Sequence, residues 1–445
     1  MAIVVPATFL AFDDTDSPEG MCTTYLAALV LEELREYDLI GLPRLVRLNP
    51  NIPWKTRGNA AICLPLGEAS GQGKLCGSLH GENIRCYSNG KPVDPRELVA
   101  RTSKVLEKVA KFDCEQTNPG IVAADKRLPP ALYWEAVRGI VPLKRVEHLL
   151  RESGAAWKKY KRGRGVIGAA AAVSWRPRDR TWEVIAYRSP KRFGTPRKID
   201  PRSVIAMDKS TRATFNNYDY ENGHIAIAPG SPCPILFGIR GDSASELLRA
   251  RAMIKGEPPD KWLLFLTNQA TEDHIVSRRV SELEPMMSAR VRATVAAHPT
   301  TIVGGHVFVR VSDGDEIDAA FYEPSRSFRE VARQLLPGDE VTLYGSVRKV
   351  PRSFNVEKMH VRTLVDHVTK VRNPVCSDCG KSMGSMGLNQ GFRCKKCGAK
   401  VGPEAAEWTL VPRALKPGWY EPPVASRRHL HKPIRRMSRV DIDNL

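Results

Sequence analysis

The chain is 445 residues long, and its 68 Lys plus Arg exceed its 49 Asp plus Glu, leaving a formal net charge of +19. That length holds roughly three domains, and the charge points to a polyanionic partner, nucleic acid first, with a solvated basic surface as the alternative. No apolar run reaches the roughly 20 residues that span a bilayer. The apolar start MAIVVPATFLAF lacks a basic leader, and ten cysteines spread over so long a chain argue against a disulfide framework. The expectation is a cytoplasmic protein with no membrane association and no obligate protein partner.

Residues 1–155 alternate strand-like runs (ATFLAF, RLVRLNP, AAICLPL, GIVAA) with helix-like ones (YLAALVLEELREY, RELVARTSKVLEKVAKF, YWEAVRGIVPLKRVEHLL) whose apolar residues recur at three and four. This is an α/β pattern with strand-end loops free to build a site. The first strand runs into DDTDSPEGMCTTY. Asp13, Asp14 and Asp16 lie within four residues, a turn through Pro18 and Gly20 follows, and Thr23 and Thr24 open a helix. Mg(II) takes oxygen ligands, usually one or two carboxylates together with substrate phosphates, and a helix start offers free N–H groups to phosphate. A turn with Thr23 or Thr24 as N-cap explains one Asp and one Thr. It does not explain three crowded acids, whose like charges need a cation. The loop reads as a metal–nucleotide site, compatible with a nuclease, a phosphatase or a phosphoryl transferase. No G-x-x-x-x-G-K-[ST] loop is present, which argues against an ordinary P-loop enzyme. In RLNPNIPWKTRGNAA (47–61), Lys55 and Arg57 join Thr24 as candidates to contact nucleotide phosphates or RNA, with Asn49, Asn51 and Asn59 as neutral hydrogen bonders. Merely exposed cations beside a strand are the alternative.

Residues 156–280 open on the basic WKKYKRGR (157–164). GVIGAAAAVSW and TWEVIAYR read as a hairpin across RPRDR, IAIAP, CPILFGIRG and WLLFLTNQ as further strands, and SASELLRARAMIK as a helix. A ferredoxin-like α+β sandwich fits that order. Asp219, Glu221 and Asp242 are candidates to hold a cationic group, or belong to turns; QTNPGIVAAD (116–125) and LTNQATEDH (266–274) are polar loops at strand ends.

Residues 285–367 carry five alternating strands, ARVRATVAA, HVFVRVSD, EIDAAFYE, DEVTLYGSVR and FNVEKMHVR. A serine-capped helix, SRSFREVARQLL, falls between the third and fourth. This is the order of an OB-fold β-barrel, a module for single-stranded nucleic acid; an unrelated small barrel is the alternative. In 370–402, Cys376, Cys379, Cys394 and Cys397 form two C-x-x-C pairs, each beside a glycine (Gly380, Gly398). Four thiolates at that spacing make a closed, structural Zn(II) site of the zinc-ribbon kind, with Lys395 and Lys396 placed to touch RNA. Cys22, Cys63, Cys76, Cys86, Cys114 and Cys233 show no ligand spacing and read as small hydrophobes. The tail, 403–445, includes Arg427, Arg428, Lys432, Arg435 and Arg436, a basic run for RNA near the stacking faces of Trp419 and Tyr420. A disordered basic tail is the alternative.

DDTDSPEGMCTTY, NPNIPWKTRGNAA, TNPGI, PCPILFGIRG, TNQATEDH, FYEPSRSFR, the cysteine pairs and RALKPGWYEPPVASRRHLHKPIRR occur in this order. Together they resemble the archaeal tRNA-isoleucine 2-agmatinylcytidine synthetase (TiaS) family over nearly the whole chain. The resemblance implies a multidomain architecture: a kinase-like α/β domain (1–155), a ferredoxin-like α+β domain (156–280), an OB fold, a zinc ribbon and the tail. It implies an enzyme that joins agmatine to carbon 2 of the wobble cytidine in the CAU anticodon of an isoleucine tRNA, with ATP giving AMP and two phosphates. On this resemblance Asp13, Asp14 and Asp16 match the acids that hold Mg(II)–ATP, and Thr23 matches the threonine that becomes phosphorylated. One departure is Ala270, where the family's N-Q-G-T loop carries glycine; a position needing φ > 0 would strain alanine. The competing readings are a Mg-dependent RNA nuclease or phosphatase and a non-catalytic tRNA-binding protein.

Overall fold

The computed structural model describes residues 7–437; residues 1–6 and 438–445, which hold the first half of the apolar start and the end of the basic tail, lie outside the described residues. The Thr8–Asp13 strand runs between Ala60–Ser70 and Gly120–Ala124, antiparallel to both. Its side chains alternate between two cores. Leu10 and Phe12 join one with the Thr23–Glu33 helix, while Phe9 and Ala11 join another with the helices Pro130–Arg138 and Gly165–Ser174. Both faces being covered, the strand reads as a continuous apolar run and ends where the first acid appears.

The sheet does not stop at the predicted boundary near 155. Lys261–Thr267 pairs with Lys74–Leu79 and, in parallel, with Arg44–Arg47, so thirteen strands form one sheet through both of the first two regions. Its second half is Thr181–Tyr187 between Ile235–Gly241 and Lys261–Thr267, covered by Pro201–Ser210 and Ala244–Met253. The latter helix is capped as a serine should cap it, with Ser243 Oγ accepting from the Glu246 N–H.

Several expectations need correction. GVIGAAAAVSW is a helix, Gly165–Ser174, not the first strand of a hairpin. All but one of its ten residues are buried, so no polar face exposes the helical period. YWEAVRGIVPLKRVEHLL is two helices, Pro130–Arg138 and Leu143–Glu152, divided by Gly139 and Pro142. Of IAIAP only Ile225 is in a strand, the two-residue His224–Ile225. The hairpin Lys74–Leu79/Glu82–Tyr87 and the helix Pro201–Ser210 were not anticipated.

Ser288–Val295, Glu340–Arg348, Ser353–Thr363, Glu316–Phe321 and Val307–Ser312 pair in that order, and Val307–Ser312 returns to Ser288–Val295 to close a barrel. The intervening helix is Ser327–Arg333, but no serine caps it. Arg326 is the N-cap at φ 38°, and the Glu221 carboxylate accepts both the Ser327 N–H (3.0 Å) and hydroxyl (2.7 Å). An acid at a helix start has the favourable sign. Among the described residues no helix is long and apolar enough to cross a membrane.

Candidate functional site

The acidic loop is built from the sheet outward. Asp13 ends its strand opposite Gly120 and is buried; its Oδ1 accepts the Asp14 N–H at 2.6 Å. Oδ2 presses on Gly168 of the Gly165–Ser174 helix, where an added Cβ would lie 1.7 Å away. Burial, together with the Asp14 charge, raises the Asp13 carboxyl well above the usual carboxylate range. Asp14 turns at φ 57° and is pushed up to about 6 by burial, against the opposing pull of Arg164. Asp16 does the work of a cap from outside the helix: Oδ1 accepts the Thr23 N–H (2.5 Å) and the Thr23 hydroxyl (2.8 Å). The Thr23 oxygen in turn accepts from Thr15 (3.0 Å), so the hydroxyl is fixed in direction.

Arg57 is the organiser of this loop. Its guanidinium donates to the carbonyls of Ser17 (3.0 Å), Gly20 (3.3 Å) and Met21 and to Ser231 Oγ (3.1 Å), and its Nε lies 3.5 Å from Asp16 Oδ2. Lys55 lines the same cavity with its ammonium on the carbonyls of Pro50 and, at 3.5 Å, Ile52. Thr24 is not on that cavity but on the one beside it, its hydroxyl 3.1 Å from Cys22 Sγ and its carbonyl taken by the Tyr187 hydroxyl at 2.8 Å. The side-chain amides of Asn49, Asn51 and Asn59 donate to Gly139, to Met286 and Ser288, and to the Asn49 carbonyl, and Asn59 also lines this cavity.

Two cavities meet here. The first holds Asp13, Asp14, Asp16, Lys55 and Arg164. The second, about 270 Å³, shares Asp16, Thr23 and Arg57 with it and is walled by Glu183, Arg240 and His429. Glu183 accepts from Arg240 Nε at 3.1 Å and from Gln269. Arg164, Glu183, Arg240 and His429 were not singled out from the sequence, although Arg164 ends the basic stretch 157–164 and Arg240 and His429 lie in segments that carry the resemblance. Asp219, Glu221 and Asp242, by contrast, do not hold an open cationic site. They accept from the Ala425 N–H, Ser327 and Arg436. The carboxylates of the second cavity are Asp16 and Glu183, and the latter sits on the strand of TWEVIAYR, where it looked like one polar residue in a hydrophobic run.

The tail residues are spread between protein and solvent. Arg427 pairs with Glu421 (3.0 Å), Arg428 with Glu357 (3.1 Å), Lys432 with Asp179 (3.4 Å) and Arg436 with Asp179 and Asp242 (2.8 and 2.7 Å). Arg435 is exposed, with a bond to the Arg212 carbonyl. Trp419 stacks on His360 at 4.5 Å, so one of its faces is already covered. Ala270 does adopt φ 59°, the strained region anticipated for it. The tail fastens it: its N–H donates to the His429 carbonyl (2.8 Å) and its own carbonyl accepts from Arg436.

The four ribbon sulfurs lie within 4.8 Å of one another, with neighbouring Sγ pairs at 3.4, 3.5 and 4.0 Å. A tetrahedral ion with bonds of about 2.3 Å asks for sulfurs about 3.8 Å apart. Both knuckles turn at a left-handed glycine, Gly380 (φ 67°) and Gly398 (φ 80°), whose N–H groups return to the carbonyls of Cys376 and Cys394. The donor set fits zinc. Lys395 and Lys396 are exposed beside it.

Three family models match: the TiaS TCKD domain at residues 9–162, the TiaS FLD domain at 163–274 and the TiaS C-terminal zinc ribbon domain at 373–415. The tRNA-isoleucine 2-agmatinylcytidine synthetase TiaS of Methanosarcina mazei is 42% identical, covering 97% of this chain and 98% of its own. That of Methanocaldococcus jannaschii is 38% identical, with 96% and 98% covered. Crystal structures of TiaS in complex with its isoleucine tRNA and ATP (TM-score 0.82, 38% identity) and with that tRNA, AMPCPP and agmatine (0.81, 35%) each cover 97% of this chain and 98% of theirs.

Proposed function

The chain belongs to the tRNA-isoleucine 2-agmatinylcytidine synthetase (TiaS) family, and from that membership we infer that it joins agmatine to the anticodon of an isoleucine tRNA at the expense of ATP. The acceptor is carbon 2 of the wobble cytidine in CAU, and the product lets AUA be read as isoleucine. ATP gives AMP and two phosphates. Neither a nuclease or phosphatase nor a binding-only protein finds support among the relatives.

The observation that carries this reading is the Thr23 hydroxyl, held between Asp16 and Thr15 where the two cavities meet. A carbonyl on a pyrimidine ring is a poor electrophile because oxide is a bad leaving group. Phosphorylation of that oxygen makes it a phosphate that a primary amine can displace. We put ATP in the first cavity, with Lys55 and Arg164 toward its phosphates, and agmatine in the second, where Glu183 supplies a carboxylate. Asp16 is aligned to accept the Thr23 proton when that oxygen takes a phosphoryl group.

Asp13, Asp14 and Asp16 are the residues that would hold Mg(II); three crowded, largely buried acids fit a cation. Bound there, the ion would offset the phosphate charge. Because Asp14 ionises near 6, proton and metal compete in that range. The carboxylate form exists above that pH, so Mg(II) affinity should fall by about tenfold per pH unit below it. A titration flat from pH 7 to pH 5 contradicts this assignment.

We read 1–155 as the kinase-like domain, 156–280 as ferredoxin-like, 285–367 as an OB fold, 370–402 as the zinc ribbon and 403–445 as the tail. The closed five-strand barrel with one helix before its fourth strand supports the OB label. For RNA we favour Lys395, Lys396 and Arg435, whose side chains are exposed. The deciding experiment incubates purified protein with the isoleucine tRNA transcript, Mg(II)-ATP and labelled agmatine, beside Asp14→Ala and Thr23→Ala. Label should enter the tRNA only with wild type and ATP. Tight tRNA binding without label, from a folded and zinc-loaded sample, overturns the reading.

A further inference from the structure

The C-terminal segment is a strap rather than an appendage. Arg428 bonds Asn51 Oδ1 (2.7 Å), the His429 and Leu430 carbonyls accept from Ala270 (2.8 Å) and Glu272 (3.0 Å), and the Leu430 side chain is buried in the catalytic core. Arg436 then anchors on Asp179 and Asp242. Midway, the strap inserts the His429 ring into the wall of the second cavity. Gly58 makes room for it. A Cβ there would come within 2.8 Å of the ring's Cδ2 and 3.0 Å of Nε2.

His429 is half-buried and edges the second cavity, whereas His431 two residues on is buried and bonded to Glu421 at 2.8 Å; the buried His274 also lacks a hydrogen bond at both ring nitrogens, so it is the adjoining cavity that sets His429 apart. His429 Nδ1 is buried with no partner, and among the described residues the ring makes no hydrogen bond at all. The charged groups about it are Arg47 on Arg44–Arg47, Arg240 on Ile235–Gly241 with its partner Glu183 on Thr181–Tyr187, and Arg57 and Asp16 across the cavity; Lys55 lies in the neighbouring cavity. Burial first, then Arg47 and Arg240, hold the imidazole neutral and hence able to accept a proton.

We propose that His429 is a catalytic residue that takes the proton released by the attacking amine of agmatine. This rests on the agmatine transfer inferred above. The lone pair of the neutral amine forms the new bond to carbon 2. The bond from carbon 2 to the phosphorylated oxygen breaks, its electron pair leaving on phosphate. One N–H proton passes to a free imidazole nitrogen. Once bonded to carbon 2 the nitrogen is far more acidic than a free ammonium, so a weakly basic imidazole suffices.

The test compares His429→Gln with wild type on agmatine and on its aminooxy analogue, whose nitrogen is much less basic. With agmatine, kcat should fall about 10²-fold or more, with KM for tRNA unchanged. With the analogue the loss should be under about tenfold, because its nitrogen gives up a proton readily. Equal losses for the two amines, a loss confined to KM, or an unimpaired variant each overturn the proposal. If His429→Gln does not fold, Gly58→Ala, which crowds the same ring edge, should show the same dependence on amine basicity, and its absence overturns the proposal. A wild type that incorporates neither amine instead overturns the parent reading.

Discussion

Gly168→Ala should reduce agmatine transfer by about 10²- to 10³-fold while the protein stays folded. The new Cβ would fall 1.7 Å from Asp13 Oδ2, so either the carboxylate or the helix must move. The helix has little freedom. At its start a Cβ on Gly165 would lie 2.5 Å from the Asp13 carbonyl, a Cβ on Gly120 would lie 2.0 Å from the Val166 nitrogen, and the Gly165 N–H is bonded to Asn118 at 3.0 Å. Backbone thus rests on backbone with nothing between to compress. The carboxylate moves instead, leaving the position set by the Asp14 N–H. A displacement of about 1 Å at a reacting centre is enough for a loss of this size. Overpacking costs about 1–3 kcal/mol, so the melting temperature should drop by only a few degrees. A variant with transfer within tenfold of wild type would show that Asp13 need not sit where Gly168 lets it sit.

The acidic loop and the cysteine pairs were legible because each packs its chemistry into consecutive residues. Three acids within four positions suggest a cation site, and two C-x-x-C pairs a zinc ribbon, without reference to any other part of the chain. The barrel was legible from strands that keep one wet face, as Ser288–Val295 does, although Glu340–Arg348 is buried along seven consecutive residues. The Gly165–Ser174 helix was not, for the opposite reason. Buried on every side, it offers no alternation of either period, and only its alanines favour a helix over a strand. Its glycines were equally silent, since what they accommodate is an aspartate more than 150 positions away. Glu183 and His429 belong to the same class: each is ordinary in its own segment and reaches the second cavity only through the sheet pairing and the strap that deliver it. The tail was judged on charge, which reports composition. The structure matches most of those charges to carboxylates on distant elements, and composition carries no account of partners.

Arg57→Ala should lower agmatine transfer by about 10²-fold, and Arg57→Lys should recover little of it. Three main-chain carbonyls of the loop between Asp14 and Cys22 converge on one guanidinium, which also reaches Ser231 on the far side of the second cavity. The loop has few bonds of its own, Ser17 N–H to Met21 at 3.3 Å and Gly20 N–H to Ser17 at 3.2 Å. Arg57 therefore fixes where Asp16 meets Thr23, and it offsets the Asp16 charge from 3.5 Å. An ammonium supplies the charge but not the planar fork. It reaches one or two of these oxygens and leaves the others bare. Loss of charged hydrogen bonds to partly buried carbonyls costs about 1.5–3 kcal/mol, a modest shift in melting temperature beside the loss of activity. The lysine variant separates two roles. If the residue's task is to meet a phosphate, a point charge serves nearly as well and Arg57→Lys stays close to wild type. If its task is to hold the loop, Arg57→Lys behaves like Arg57→Ala, and the bonds to Ser17, Gly20 and Met21 make that second outcome the expected one.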